Sequence, residues 1–289
     1  MFDHDPVPPQ PPHRPYSDVP FYVALGVIGG TYVLLIVAML AADAVYMTAA
    51  RPGEGAWAWL TRIAGDNAMW AALAKPEIRY SIKLSLVSCT ITAILSLWVA
   101  IPVGYLLSRH QFRGRQLLDA ILDVPIVLPP LVVGLSLLIL FQYLPRGFRE
   151  RVVYEAPGVI LAQFMVACAF AVRTMRATFD QIDARREQVA LTLGCSRAQA
   201  FGMVVLPEAW RGVLTAGTLA WARALGEFGP LLIFAGATRN KTEVLSTTVF
   251  LELSIGELQA AVAVSLLMVF AAVVVLVVAR VWGSRNLSL

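Results

Sequence analysis

Two opposite charges lie one helical turn apart in an otherwise apolar segment of this sequence. Arg223 and Glu227 are separated by four residues within the run 212–236. On a helix, this spacing brings a guanidinium and a carboxylate within reach of each other. An unpaired charge in hydrocarbon costs about 2.5–3.5 kcal/mol, so each group should face protein or water and find a partner. The pair could fix helix packing, relay protons, or act on a charged solute in a transport pathway.

Other residue types that often carry chemistry are scattered. The histidines fall in predicted tail or loop, and the cysteines show neither CxxC spacing nor partnering histidines; these residues are His4, His13, His110, Cys89, Cys168 and Cys195. The sequence therefore predicts no catalytic residue, no metal site and no cofactor on this chain. It also lacks a GxxxxGK[ST] motif, so any ATP hydrolysis that drives this protein must occur on another chain.

The composition places the charged pair in a membrane protein. Hydrophobic residues make up 58% of the chain, charged residues 15%, and the mean hydropathy is +0.70. About 20 apolar residues span a bilayer as a helix. This rule predicts an all-α, polytopic protein with six transmembrane helices, at 21–44, 83–108, 118–143, 157–173, 212–236 and 258–280. The basic pI of about 9.1 comes without a nucleic-acid motif, so a lipid bilayer is predicted as the partner rather than RNA or DNA.

Three regions follow from this pattern. Residues 1–20 contain seven prolines and several aspartates and are predicted to form a disordered cytoplasmic tail. Residues 21–74 comprise the first span and an external segment with Trp57, Trp59 and Trp70, which is either amphipathic and interfacial or a plain loop. Residues 75–282 hold the remaining spans.

Basic residues set the predicted orientation. Arginines cluster after the second span, between the fourth and fifth, and after the sixth, and these loops share one side of the membrane. The positive-inside rule assigns that side, and with it both termini, to the cytoplasm. Arg146, Arg149 and Arg151 would then face outside, against the general bias.

Prolines and glycines interrupt two predicted spans. The third contains Pro125, Pro129, Pro130 and Gly134, and the fifth continues from Glu227 to Gly229 and Pro230. Each proline frees backbone groups that neighbours or water must satisfy. These positions either line a pathway or form kinks chosen for packing.

A polar segment, EQVALTLGCSRAQAFGMVVLP at 187–207, lies between the fourth and fifth spans. A short helix over 186–194 would place Val189 and Leu193 on one face, with Glu187 and Gln188 pointing elsewhere. Gly194 is predicted to end that helix, and Leu206-Pro207 to break the chain again before the fifth span. The segment is either an ordinary loop or a surface that fits a groove on a partner.

The spacing of Glu187, Ala190 and Gly194, followed after nine residues by Val204-Val205-Leu206-Pro207, resembles the cytoplasmic EAA loop of ABC importer permeases. Three further strings resemble permeases of the molybdate, tungstate and sulfate group: PIVLPPLVVG at 125–134, LAQFMVACAFAVRTMRA at 161–177 and ARALGEFG at 222–229. The sequence departs from that pattern at Gln188 and Val189, where Glu or Ala is usual, and at Ala169, where many relatives have proline.

The resemblance implies a type I importer permease fold and an inner-membrane subunit that is not itself an enzyme. Glu187, Gln188, Val189, Ala190, Leu193, Gly194, Leu206 and Pro207 would dock an ATPase, while Pro129, Pro130, Gly134, Arg223, Glu227 and Gly229 would line the pathway. The implied partners are two ATPase subunits that carry ATP and Mg, a second permease subunit that is a copy of this chain, and an external solute-binding protein. The implied substrate is molybdate or tungstate; alternatives are a sulfate or thiosulfate permease and a secondary transporter that uses Arg223 and Glu227.

Overall fold

The computed structural model describes residues 18–48 and 73–285. Most of the predicted tail, and most of the tryptophan-containing segment after the first span, lie outside these residues. Helix α1 (Val19–Thr48) forms a compact unit of its own. Its side chains are apolar around the whole circumference and largely exposed, with Phe21 63%, Ile28 72% and Leu34 71% exposed. A helix that is apolar on every side suits a lipid or protein environment rather than water.

The regular elements in the described part of the second unit are all helices. The α-helices are α2 (Pro76–Arg109), α3 (Arg115–Val127), α4 (Pro130–Gln142), α5 (Arg146–Val152), α6 (Ala156–Gln181), α7 (Ala184–Thr192), α8 (Arg197–Ala200), α9 (Leu206–Glu208), α10 (Trp210–Leu225), α11 (Leu245–Ser254) and α12 (Leu258–Arg285). Two π-helices join them, π1 (Phe201–Val205) between α8 and α9 and π2 (Leu231–Ala235) after α10. The all-α prediction is thus confirmed.

Helices α2, α6 and α10 pack against one another and form the core of this unit. Small and hydroxyl residues recur every three or four positions on the buried side of α2: Ser81, Ser85, Ser88, Thr92, Ser96, Ala100 and Gly104. A Cβ added at Gly104 would lie 2.9 Å from the Cβ of Met175 in α6. Small residues at a helix interface let two backbones approach closely, which is how membrane helices gain packing energy.

The prediction of six spans is not confirmed in number. Among the described residues, α1, α2, α6 and α12 are each long and apolar enough to cross a bilayer, and α3 with α4 adds a fifth only if the bent pair counts as one span. The prediction of one continuous helix at 118–143 is wrong, since the chain bends by 112° between α3 and α4. The predicted span at 212–236 is also wrong as one helix, because α10 ends at Leu225.

Both breaks have a local cause. Leu128 has ψ 141° and precedes two prolines, and a residue before proline is driven out of the helical region. Pro130 then begins α4 at a position where no backbone donor is needed. After α10, Gly226 caps the helix and Pro230 precedes π2. Hydropathy averaged over a window registers neither break.

Candidate functional site

Helix α7 carries the polar segment and has a defined beginning and end. The Asp183 side chain accepts a hydrogen bond from the backbone N–H of Arg185, at 2.9 Å. At the other end, Gly194 adopts φ +93°, its N–H donates to Leu191 O, and the N–H of Cys195 donates to Ala190 O. This pair of bonds is the Schellman termination, which requires a left-handed residue that glycine adopts without strain. The predicted helix is present but begins at Ala184 rather than at residue 186, and its termination at Gly194 is as predicted.

Ion pairs and hydrogen bonds attach α7 to two of the long helices. Glu187 accepts a hydrogen bond from the Tyr105 hydroxyl and lies 3.5 Å from Arg109 Nε, both at the end of α2. On the other side, Arg186 Nη1 lies 2.6 Å from Glu208 Oε1, just before α10 begins. A displacement of α7 would therefore act on α2 and on α10.

The opposite face of α7 is exposed and partly apolar. Val189 is 57% exposed and Leu193 80% exposed, one helical turn apart, whereas Ala190 is buried against the protein. Gln188 is exposed beside them. Exposed leucine and valine at this spacing form a small apolar knob of the kind that enters a groove on a partner.

The break predicted at Leu206-Pro207 takes a different form. The chain remains helical from Arg197 to Leu225, interrupted only by a wider π turn over Phe201–Val205 and a single turn residue at Ala209. The N–H of Leu206 donates to Phe201 O, five residues back. The backbone hydrogen bonds have thus changed to the π-helical pattern, five residues apart, just before Pro207. The absent N–H of Pro207 therefore interrupts no regular series of α-helical hydrogen bonds.

The Arg223–Glu227 pair forms as predicted. Arg223 Nη1 lies 3.0 Å from Glu227 Oε2, Glu227 is only 1% exposed, and Arg223 is 31% exposed. The guanidinium also lies over the Phe170 ring, 5.5 Å from its centroid. Glu227 follows the end of α10, and Ser246 Oγ donates to its carbonyl oxygen at 2.6 Å. From Glu208 to Arg223 the chain rises about 22 Å along the helix axis.

The two interrupted segments meet backbone to backbone. A Cβ added at Gly134 would lie 2.7 Å from Pro230 Cα, and one at Gly229 would lie 2.9 Å from the backbone nitrogen of Leu131. Contacts this short exclude any side chain at either glycine. Of the pathway candidates, the structure therefore brings Pro130, Gly134 and Gly229 to one junction, with Pro129 adjoining it as the N-cap of α4.

Two polar contacts near these segments were not predicted from the sequence. Gln163, 1% exposed in α6, donates to Ala224 O at 3.2 Å and accepts from Thr92 Oγ1 at 3.3 Å, so it satisfies a carbonyl at the end of α10. Its polar side chain in an apolar span was the available signal. Arg176 is paired with Asp119 in α3. That pair connects two helices far apart in sequence, and no local pattern indicates it.

Comparison with known proteins identifies the class of protein. The fold matches a bacterial ABC transporter involved in the import of the acidic polysaccharide alginate, with a TM-score of 0.67 and 16% identity, covering 94% of this chain and 97% of that one. At that identity the similarity concerns the fold alone. Residues 100–285 match the model of the family described as binding-protein-dependent transport system inner membrane component. The chain belongs to this family, and so it is a polytopic permease of the inner membrane rather than an enzyme.

Two curated relatives show where the similarity extends. The sulfate transport system permease protein CysT of Salmonella typhimurium is 32% identical over 214 residues, covering 72% of this chain and 77% of that protein. The molybdate/tungstate transport system permease protein WtpB of Pyrococcus abyssi is 38% identical over 160 residues, covering 55% of this chain and 62% of that protein. The resemblance read from the sequence motifs is thereby confirmed at the level of the permease family.

Proposed function

We propose that this chain is the permease subunit of an ATP-driven importer for a tetrahedral oxyanion, molybdate or tungstate in the first place. The observation that carries the proposal is α7, a capped helix whose charged side is paired with α2 and the start of α10 while Val189 and Leu193 are exposed. A secondary carrier has no need of such a surface. A transporter driven by another subunit has one.

The partners follow from that assignment. Two ATPase subunits bind at α7 and carry the ATP and Mg, and this chain binds no cofactor itself. A second copy of the chain completes the pathway, and an external binding protein delivers the substrate. The α7 side of the molecule, and with it both termini, faces the cytoplasm. The docking contacts are made by Gln188, Val189 and Leu193, while Glu187 and Ala190 hold the helix in place.

The pathway passes the junction of the two interrupted segments. Arg223 supplies positive potential there, and Glu227 at 3.0 Å limits how tightly a passing anion is held. Gly134 and Gly229 shape the wall, since Gly134 lies directly against Pro230 and Gly229 directly against Pro130 and Leu131. Pro129 adjoins this wall as the N-cap of α4. A change in the angle between α3 and α4 would move this wall.

Sulfate is the second candidate substrate, favoured by the 32% identity to a sulfate permease over most of that protein. All three substrates are tetrahedral dianions, so the arginine alone does not select among them. The third reading, a proton-coupled carrier, rests on the buried carboxylate of Glu227.

The test is accumulation of molybdenum and tungsten, measured by elemental mass spectrometry in cells with and without the chain at trace external oxyanion. Excess sulfate serves as competitor. Accumulation that depends on the chain and resists sulfate supports the proposal, whereas suppression by sulfate favours the second candidate. Arg223→Gln and Glu227→Gln should both reduce uptake, and unaltered uptake in both variants would exclude the pathway assignment.

ATP coupling is tested separately. Gly194→Leu places a side chain at φ +93° and strains the end of α7. Uptake should fall in this variant, while Gly202→Leu, where a Cβ meets no atom within 4 Å, serves as the control. Full uptake by Gly194→Leu would contradict the docking role and support a carrier.

A further inference from the structure

An apolar groove of about 350 Å³ lies on the surface of the second unit, at the end of α6 opposite to α7. Its walls include Trp98 from α2, Phe141 from α4, and Ile160 and Phe164 from α6. The part along α6, from residue 157 to residue 164, is about 10 Å long. One leaflet of a bilayer has a hydrocarbon depth of about 15 Å, so the groove suits an extended hydrocarbon chain.

Helix α5 closes one side of this groove with an unusual charge distribution. Phe148 and Val152 line the groove and, at about 100° per residue, project from α5 in nearly the same direction. Arg149 and Arg151 flank that direction by about 80° on either side, whereas Glu150 projects the opposite way. The cations therefore border the groove, and the anion of the same helix does not.

These arginines lack partners in the part of the chain that the structure describes. None of Arg146, Arg149 and Arg151 forms an ion pair with a described residue. They also oppose the positive-inside bias, since α5 precedes the end of α6 that lies away from α7. Orientation therefore gives no reason for three arginines in a seven-residue helix, and their position beside an apolar groove indicates a ligand that is anionic at one end and apolar at the other.

We propose that this groove binds an anionic phospholipid, with an acyl chain against Trp98 and Phe164 and the headgroup phosphate between Arg149 and Arg151. Arginine binds phosphate through paired donors and is the residue best suited to this role. A second copy of the chain fits less well, because a twofold interface centred on the groove would bring the same arginines face to face. The assignment of the lipid to the outer leaflet and the argument from the positive-inside bias both rest on the proposed orientation, whereas the groove, its arginines and their lack of ion pairs do not.

Trp98 provides a built-in probe, since it is 76% exposed and lines the groove. The purified full-length chain is reconstituted into phosphatidylcholine vesicles that contain a minority of lipid brominated on the acyl chain, either phosphatidylglycerol or phosphatidylcholine. The contribution of Trp98 is the difference in fluorescence quenching between the wild type and Trp98→Phe. Bromines quench only nearby tryptophans, so the difference reports acyl chains in the groove.

Quenching of Trp98 should be stronger with brominated phosphatidylglycerol than with brominated phosphatidylcholine. Two arginines beside an anionic headgroup account for roughly a thirtyfold preference, which Arg149→Gln combined with Arg151→Gln should abolish. Arg146→Gln is the matched control, because Arg146 projects about 140° away from the groove and its loss should preserve the preference.

Three results would overturn the proposal. Equal quenching by the two lipids would mean an ordinary contact with the bilayer, and absence of any Trp98 contribution would mean that a protein segment covers the groove. A preference that survives in the double variant would place the anionic headgroup elsewhere. None of these readouts involves transport, so they are independent of the substrate and ATPase assignments.

Discussion

Replacing Gly134 by alanine tests the backbone contact between the two interrupted segments. The new Cβ would lie 2.7 Å from Pro230 Cα, 3.0 Å from Pro230 O and 3.2 Å from Ile233 Cβ. Two of these atoms belong to the backbone beside π2, so rotation of a side chain cannot relieve the clash. Overpacking of this kind costs typically 1–3 kcal/mol.

An opposing effect must be subtracted, because alanine is the better helix former. Gly134 lies inside α4, and exchanging a helical glycine for alanine gains about 0.5–1 kcal/mol. Subtracting the gain from the cost leaves about 0–2.5 kcal/mol, so we expect a net loss of about 1 kcal/mol. For a chain of this size, 1 kcal/mol corresponds to roughly 2–4 °C in the thermal midpoint, so the midpoint should fall by roughly 2–4 °C.

Gly147→Ala is the matched control. Gly147 lies in α5, its φ is not in the left-handed region, and an added Cβ meets no atom within 4 Å. Its midpoint should equal or exceed that of the wild type. In the assay, the purified full-length chains are heated in detergent under the same protocol. The fraction that remains folded at each temperature is measured by fluorescence-detected gel filtration. If Gly134→Ala were as stable as Gly147→Ala, the close approach of α4 to π2 would be refuted.

Three further predictions concern the docking helix and a buried carboxyl group. Leu193→Ser should leave the thermal midpoint unchanged, because Leu193 is 80% exposed. It should weaken binding of the ATPase subunit roughly tenfold or more in a titration, since burying a leucine at an interface contributes about 1.5–3 kcal/mol. Undiminished affinity would contradict docking at Leu193. Glu187→Gln removes the charge 3.5 Å from Arg109 and should lower the midpoint; in a double-mutant cycle with Arg109→Gln, purely additive effects would show that the pair contributes nothing. Burial raises the pKa of Glu243, in the loop before α11, so its contribution to stability is fully present below the usual glutamate range and is lost as pH rises through the raised pKa. In the Glu243→Gln variant the thermal midpoint should therefore fall less steeply as pH rises than in the wild type. The same dependence of midpoint on pH in both proteins would contradict a raised pKa at Glu243.

The parts of the site that sequence could predict are those with a local code. The beginning of α7 and its end at Gly194 depend on residues within one or two turns, and so does the Arg223–Glu227 pair at a four-residue spacing. The attachment of Glu187 to Tyr105 joins residues 82 positions apart. No periodicity indicates such a contact, because it depends on how α2 and α6 pack.

The errors in the predicted spans have the same origin. Residues 118–143 and 212–236 are apolar enough on average, but apolar composition reports environment and not direction. The direction changes at Leu128 and at Gly226, where backbone preferences of single residues act. The prolines were recognised as interruptions, yet an angle of 112° between α3 and α4 follows only from packing against the rest of the protein.

The contacts at the two ends of α10 differ in flexibility, and this difference matters for how the proposed transporter would work. At the α7 end, the connections are long side chains, such as Arg186 with Glu208, which can follow a moving partner by changing rotamer. Beyond the other end of α10, Gly229 lies against the backbone of Leu131 and Gly134 against that of Pro230, with no room for a side chain at either glycine. Contacts between backbones in this way cannot absorb a displacement, because closely packed interiors are hardly compressible and transmit it. A movement of α10 that carries Gly229 with it would therefore reach α4 with little loss, two residues after Glu227 in the chain.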